Sequence, residues 1–206
     1  MKVSRETGAP RWLTDRGLCI PAGNDTLALY RRLAKAHLPG VAELVPADGT
    51  LLVVLEPGKP APEALADMIK DLPRESAPVP ARRHRIAVRF DGEDLLEVAA
   101  QAGRDAEGLI RILCGLTLRV KFLGFQPGFA YLDGLPPALC LPRRANPRKQ
   151  VPAGSVALGG GYCGIYPSAG PGGWHLIGMA GERLFDPNEN PPARFQAGDE
   201  VRLVAA

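Results

Sequence analysis

The chain has 206 residues, of which 46% are hydrophobic, and a formal net charge of +3. That length suits one large domain or two small ones with a real core, and so mild a charge gives no reason to invoke nucleic acid. No apolar run approaches the ~20 residues needed to cross a bilayer, and the amino-terminal MKVSRETGAPRW lacks the apolar stretch of a secretory signal. A cytoplasmic protein without a membrane partner is expected.

Leu27, Tyr30, Leu33, Ala34 and His37 recur at helical spacing behind the capping pair Asn24-Asp25. Leu51-Leu52-Val53-Val54-Leu55, bounded by Asp48-Gly49 and Pro57-Gly58, reads as a buried strand. A second helical stripe, Leu65, Met68, Ile69 and Leu72, starts at Pro62 and is closed by Pro73. Two helices on one face of a small sheet make a two-layer α+β domain over residues 1–80. Residues 73–85, PRESAPVPARRHR, mix proline, charge and small residues and read as a linker. On this reading His37 sits on a helix face and His84 in the linker.

Ile86, Val88 and Phe90 then alternate as a strand, Asp91-Gly92 makes a turn, and short helices follow near 93–102 and 105–114. Leu118 to Phe122 alternates apolar with charged residues, as a half-buried strand does. Beyond it glycine and proline crowd the chain, and short strand candidates at 155–158, 162–166, 174–178 and 201–204 are separated by turn residues. The second domain, residues 81–206, is therefore expected to be mainly β, a compact barrel or sandwich carrying functional loops.

Several loop segments could carry chemistry. Phe125-Gln126-Pro127-Gly128-Phe129-Ala130-Tyr131 sets three aromatics on a Pro-Gly corner, either as a ligand wall or as a plug for a barrel end. Pro142 to Lys149 holds four cations, two prolines and no acid, which suits a stiff anion clamp or a solvated basic loop. Gly159-Gly160-Gly161-Tyr162-Cys163-Gly164 fits G-x-G-x-x-G, but Ile165-Tyr166-Pro167-Ser168 cannot open the helix that a dinucleotide site requires. A glycine turn over an anion stays open. Pro171-Gly172-Gly173-Trp174-His175 ends a tight turn in an indole and an imidazole, the latter a natural proton carrier or a structural histidine.

Other arrangements are missing. The sequence has no Walker A loop, G-x-S-x-G elbow or H-E-x-x-H, so a self-contained hydrolase of a familiar kind is not expected. Cys19, Cys114, Cys140 and Cys163 are scattered without metal spacing and are expected to be free thiols.

The strings GFQPGFAYLDGLP, LPRRANPRKQVPAGSVALGGG, GIYPSAGPGGWHLIG and FQAGDEVRLV closely resemble the allophanate hydrolase subunit 1 family. That family includes the B subunit of 5-oxoprolinase, Kip-type inhibitors of a sporulation histidine kinase, and part of the carboxyltransferase region of urea carboxylases. The resemblance implies a small α+β domain followed by a cyclophilin-like β-barrel. It further implies pairing with the homologous C subunit of that enzyme. Together with the A subunit they would carry out ATP-dependent opening of the lactam 5-oxoproline to L-glutamate. ATP and its Mg2+ would be bound by the complex. For that reaction His175, Arg148 and Ser155 are expected to act catalytically. Phe129, Tyr131, Arg143, Tyr166, Gly172, Gly173 and Trp174 are expected to bind substrate or nucleotide, with no metal ligand in this chain. Kinase inhibition and a carboxyltransferase half remain the competing readings. Relatives often carry His-Thr at Cys114-Gly115 and Gly-Arg-Thr-Pro at Gly178 to Gly181, departures that remove a base and an anion anchor.

Overall fold

The computed structural model describes residues 9–58, Leu65, Ile69 and 81–206. The chain divides into two compact units, Met1–Pro80 and Ala81–Ala206.

In the first unit, β1 (Arg11–Trp12), β2 (Gly17–Pro21), β3 (Val41–Pro46) and β4 (Thr50–Leu55) form an antiparallel sheet in the order β1-β2-β4-β3. Leu51, Val53 and Leu55 of β4 are essentially inaccessible while the residues between them are half-buried, so one face of the sheet carries the core. Helix α1 (Thr26–Ala36) packs on it through Leu33, with Leu29 and Tyr30 beside the same cluster. Asp25 precedes the helix without capping it, and the Thr26 hydroxyl instead donates to the Gly23 carbonyl at 2.9 Å. His37 is the C-cap in a left-handed conformation (φ 44°), which corrects its reading as a helix-face residue. Of the second expected helix, Leu65 and Ile69 are helical and buried in this core, while Pro62, Met68, Leu72 and Pro73 lie outside the described residues. Strands β2 and β3 escaped the sequence reading. The first is five residues ending in proline, and a bulge between Val41 and Glu43 breaks the alternation of the second.

The second unit contains β5 (Arg83–Arg89), α2 (Leu95–Gln101), α3 (Ala106–Gly115), β6 (Leu118–Leu123) and β7 (Ala130–Asp133). It continues with β8 (Arg148–Val151), β9 (Ser155–Gly159), β10 (Tyr162–Ile165), β11 (Gly170–Gly172), β12 (His175–Ala180) and β13 (Glu200–Ala205). Seven of these close a barrel in the order β10-β7-β6-β13-β5-β12-β9, and β8 and β11 form a separate ribbon. The β5–β13 pair is parallel. Every barrel strand sends apolar residues to one interior cluster, among them Ile86, Leu118, Leu132, Leu158, Cys163, Ile177 and Leu203. Helices α2 and α3 add Val98, Leu109 and Leu113 to it, α2 against β12 and α3 against β13. Asp105 caps α3, accepting from Gly108 N at 2.7 Å. This is the α+β unit followed by a mainly β barrel that the resemblance implied.

The expected linker ran to residue 85, but β5 begins at Arg83. His84 therefore belongs to the barrel, edge-on to Phe195 at 5.0 Å and with Nε2 2.9 Å from Asp199 Oδ2. Charged outward residues Arg83 and Arg85 disguise the strand, whose alternation His84, Ile86, Val88 turns toward the interior.

Candidate functional site

Strands β9 and β12 are covered on both sides. Val156, Leu158 and Ile177 face the barrel interior, while Ala157 and Leu176 face a second cluster with Phe129, Val151, Tyr166 and Trp174. The Pro127-Gly128 turn starts this second cluster, with Phe129 N donating to Gln126 O at 3.0 Å and Gly128 at φ 78°. Phe129 meets Tyr131, Tyr166 and Trp174 edge-on at 5.1, 5.3 and 5.4 Å between ring centres. Such contacts are favoured by the ring quadrupoles and fix each ring's direction. Phe125, a non-glycine residue at φ 69° and 58% exposed, leans edge-on against Phe129.

Glycines make the room these rings need. A Cβ on Gly164 would lie 2.8 Å from Phe129 Cζ and 2.9 Å from Trp174 Cζ3, and one on Gly159 would lie 2.7 Å from the indole. A Cβ on Gly172 would collide with the Tyr166 hydroxyl. Between Gly159 and Gly164, Gly160 (φ 62°) and Gly161 (φ 85°) form the two-residue hairpin turn joining β9 to β10. The G-x-G-x-x-G string is thus a hairpin turn and a packing device, and no helix opens at its end as a dinucleotide site requires.

A cavity of about 80 Å³ opens among Phe125, Phe129, Tyr131, Arg143, Tyr166, Gly172, Gly173 and Trp174. Burial raises the pKa of both Tyr131 and Tyr166, so both hydroxyls stay protonated donors at neutral pH, with the Arg143 charge partly opposing that rise. Arg143 is exposed and has no carboxylate partner among the described residues. The site thus combines apolar walls, two phenols and one uncommitted guanidinium. Larger hollows lie elsewhere on this unit, including one of about 640 Å³ beside Arg82, Arg183 and Arg194. The arginines of that hollow are engaged with Asp199, Asp186 and Glu182, so it presents little unbalanced charge.

All seven expected binding residues, Phe129, Tyr131, Arg143, Tyr166, Gly172, Gly173 and Trp174, line this one cavity. The three expected catalytic residues do not. Ser155 is 2% exposed within β9, hydrogen-bonded through its backbone to Tyr166 and Pro152. His175 opens β12 directly after Trp174, so its side chain leaves on the opposite face from the indole. It is buried with Nε2 3.1 Å from Pro142 O, and Nδ1 has no hydrogen-bond partner among the described residues. Arg148 opens β8, and its guanidinium is held by Asp94 Oδ1 at 2.8 Å and Glu93 Oε2 at 3.1 Å. A guanidinium already neutralised by two carboxylates is not the anion clamp the basic loop suggested.

Asp94 is the residue that sequence reasoning missed. Its carboxylate is 6% exposed and accepts from Arg144 Nη1 at 2.7 Å, Arg148 Nη2 at 2.8 Å and the Leu176 backbone N at 2.7 Å. Burial alone would raise its pKa. The Arg148 hydrogen bond, the Leu176 N–H and the charges of Arg148 and Arg144 outweigh that and hold it below the ordinary value of 3.8. Asp94 stands where a helix cap is expected, directly before α2, yet its side chain makes no cap bond. The available signal was an acid-free run of arginines, which calls for a carboxylate elsewhere.

The family model for the carboxyltransferase domain, subdomain C and D, matches residues 14–195. The chain belongs to this carboxyltransferase-domain family. Within the family it is 40% identical to the B subunit of 5-oxoprolinase from Escherichia coli O157:H7, over 87% of each chain. It is 37% identical to the B subunit of 5-oxoprolinase from Bacillus subtilis (strain 168), over 81% of this chain and 76% of that one. Among solved structures it resembles TTHA0988 with a TM-score of 0.82 and 39% identity, over 93% of this chain and 40% of the other. The chain thus spans well under half the length of that structural relative. Two positions that depart from the family strings, Cys114 at the end of α3 and Met179 on β12, do not line the cavity.

Proposed function

We propose that this chain is the B subunit of an ATP-dependent 5-oxoprolinase and that the aromatic cavity receives the lactam. The observation that carries the reading is the convergence of Phe129, Tyr131, Tyr166, Trp174 and the unpaired Arg143 on one hollow. Its supporting context is close relatives named for that component of the enzyme. A five-membered lactam ring suits edge-and-face aromatic walls, and its carboxylate suits a guanidinium with no internal partner. The phenols of Tyr131 and Tyr166 would donate to the lactam oxygen or the carboxylate.

In the reaction, the lactam oxygen attacks the γ-phosphorus of ATP and ADP leaves. Water then adds to the ring carbon, and the C–N bond breaks with nitrogen taking up protons. A second water releases phosphate from the acyl phosphate, leaving L-glutamate. Small-molecule sites usually span about 300–1,000 Å³, so a hollow of about 80 Å³ admits little beyond the ring. We therefore assign the rest of the site to partner surfaces, those of the homologous C subunit and of the A subunit. Among the described residues no three acid, histidine or cysteine side chains are spaced to hold a metal ion. ATP and its Mg2+ accordingly belong, on this reading, to the assembled site. Cytoplasmic placement remains part of the proposal, and no helix among the described residues is long and apolar enough to cross a membrane.

The test is to co-express the chain with its adjacent subunits and measure ATP-dependent glutamate formation from 5-oxoproline. Glutamate should form only with the full set. A complex that assembles yet hydrolyses no ATP with this lactam ends the assignment.

A further inference from the structure

We infer that Asp94 is a positioning residue, a buried clasp that holds the basic loop and the Trp174 segment together and so shapes the mouth of the aromatic cavity. The inference rests on the lactam reading only for its kinetic readout. One carboxylate joins three places in the chain. Oδ1 takes Arg144 and Arg148 at the two ends of the loop 144–148, and Oδ2 takes the backbone N–H of Leu176 on β12. The loop and the segment leading into β12 are joined again without Asp94. Arg144 N donates to Gly173 O at 2.7 Å, and Arg148 Nη1 to Trp174 O at 3.4 Å. Gly172, Gly173 and Trp174 line the cavity, and so does Arg143, the immediate neighbour of Arg144. On both sides, then, a cavity residue (Arg143 or Trp174) is one or two residues from a ligand of the Asp94 carboxylate.

The geometry is strongly charge-dependent. Arg144 and Arg148 are 29% and 18% exposed, and both guanidinium groups approach the same oxygen. Two cations this close repel unless an anion lies between them. Glu97, 3.9 Å from Arg144, and Glu93, on Arg148, are more than half exposed and hold each arginine only from its outer side. Without the Asp94 charge the loop should move outward, taking Arg143 with it and uncovering the indole. A displacement of about 1 Å in a positioning contact can cost orders of magnitude in rate.

Asp94→Asn keeps the shape and removes the charge. The chain has two tryptophans, so in a Trp12→Phe background red-edge excitation, which tyrosines do not absorb, reports Trp174 alone. The variant should stay folded by far-ultraviolet circular dichroism while Trp174 emission shifts to the red. In the assembled enzyme, KM for 5-oxoproline should rise roughly tenfold or more, with a smaller fall in kcat. Arg144→Gln, which relieves one cation, should shift emission in the same direction by less, and Asp94→Asn with Arg144→Gln should be no worse than Asp94→Asn alone. If Asp94→Asn fails to fold, Arg144→Gln carries the test. Unchanged emission and KM in a folded variant overturn the inference, as does strict additivity of the two changes. Should the parent enzyme not turn over 5-oxoproline, the functional reading fails, and the emission shift still decides the role of Asp94.

Discussion

At the scale of single residues, the cavity lining divides into buried side chains that hold the aromatic cluster together and exposed ones that do not. Phe129 is 1% exposed and touches four other rings, so Phe129→Ala should cost about 3–5 kcal/mol of stability and remove the apolar wall at once. Arg143 is exposed and unpaired, so Arg143→Ala should leave the thermal midpoint nearly unchanged while raising KM for the lactam severalfold. A large loss of stability in Arg143→Ala would show that its cation braces the loop and does not serve the ligand. The same contrast explains what was legible at this scale. Ring-and-glycine strings such as Gly128-Phe129-Ala130-Tyr131 and Gly172-Gly173-Trp174 mark a shared hollow because rings need glycine backbone to pack against. The partners of Arg148 and His175 were not legible, because Asp94 and the Pro142 carbonyl lie 54 and 33 residues away and no local pattern announces them.

At the scale of elements, charge pairs fasten strands whose apolar faces alone do not fix their ends. Asp199 accepts from Arg82, His84 and Gln196 N, tying the start of β5 to the turn before β13. Its burial would raise its pKa, but the hydrogen bonds from His84, Gln196 N and Arg82 hold it below 3.8, as with Asp94. A depressed carboxylate contributes stability that is fully present above its unfolded value and is lost as pH falls through its folded one. Thermal midpoints should therefore hold steady from neutrality down to about pH 4 and drop below it. Asp199→Asn should be less stable at neutral pH and flatter in acid; a variant that follows the parent curve throughout would refute this. Helix α3 depends on packing instead, and Leu113→Ala should cost about 2–5 kcal/mol in chemical denaturation. The sequence already placed a short helix near residues 105–114, and the structure puts it at Ala106–Gly115 with Asp105 as its cap. Strand β5 was shortened in that reading because its outward arginines look like linker composition.

At the scale of the whole molecule, the second unit offers a completed barrel but an incomplete site. Its interior is filled by apolar residues from all seven strands, and the aromatic cluster with its hollow packs on the outer side of β9 and β12. That hollow has apolar walls and one cation, and the chemistry of lactam activation requires more than those supply. On the function proposed above, this hollow is the lactam-binding part of a shared site. The most direct measurement is a crystal structure of the assembled subunits with 5-oxoproline and a non-hydrolysable ATP analogue. The lactam ring is expected among Phe129, Tyr131, Tyr166 and Trp174, its carboxylate on Arg143, and the cavity mouth closed by a partner protein. A lactam bound elsewhere, with the aromatic hollow empty and open to solvent, would contradict it.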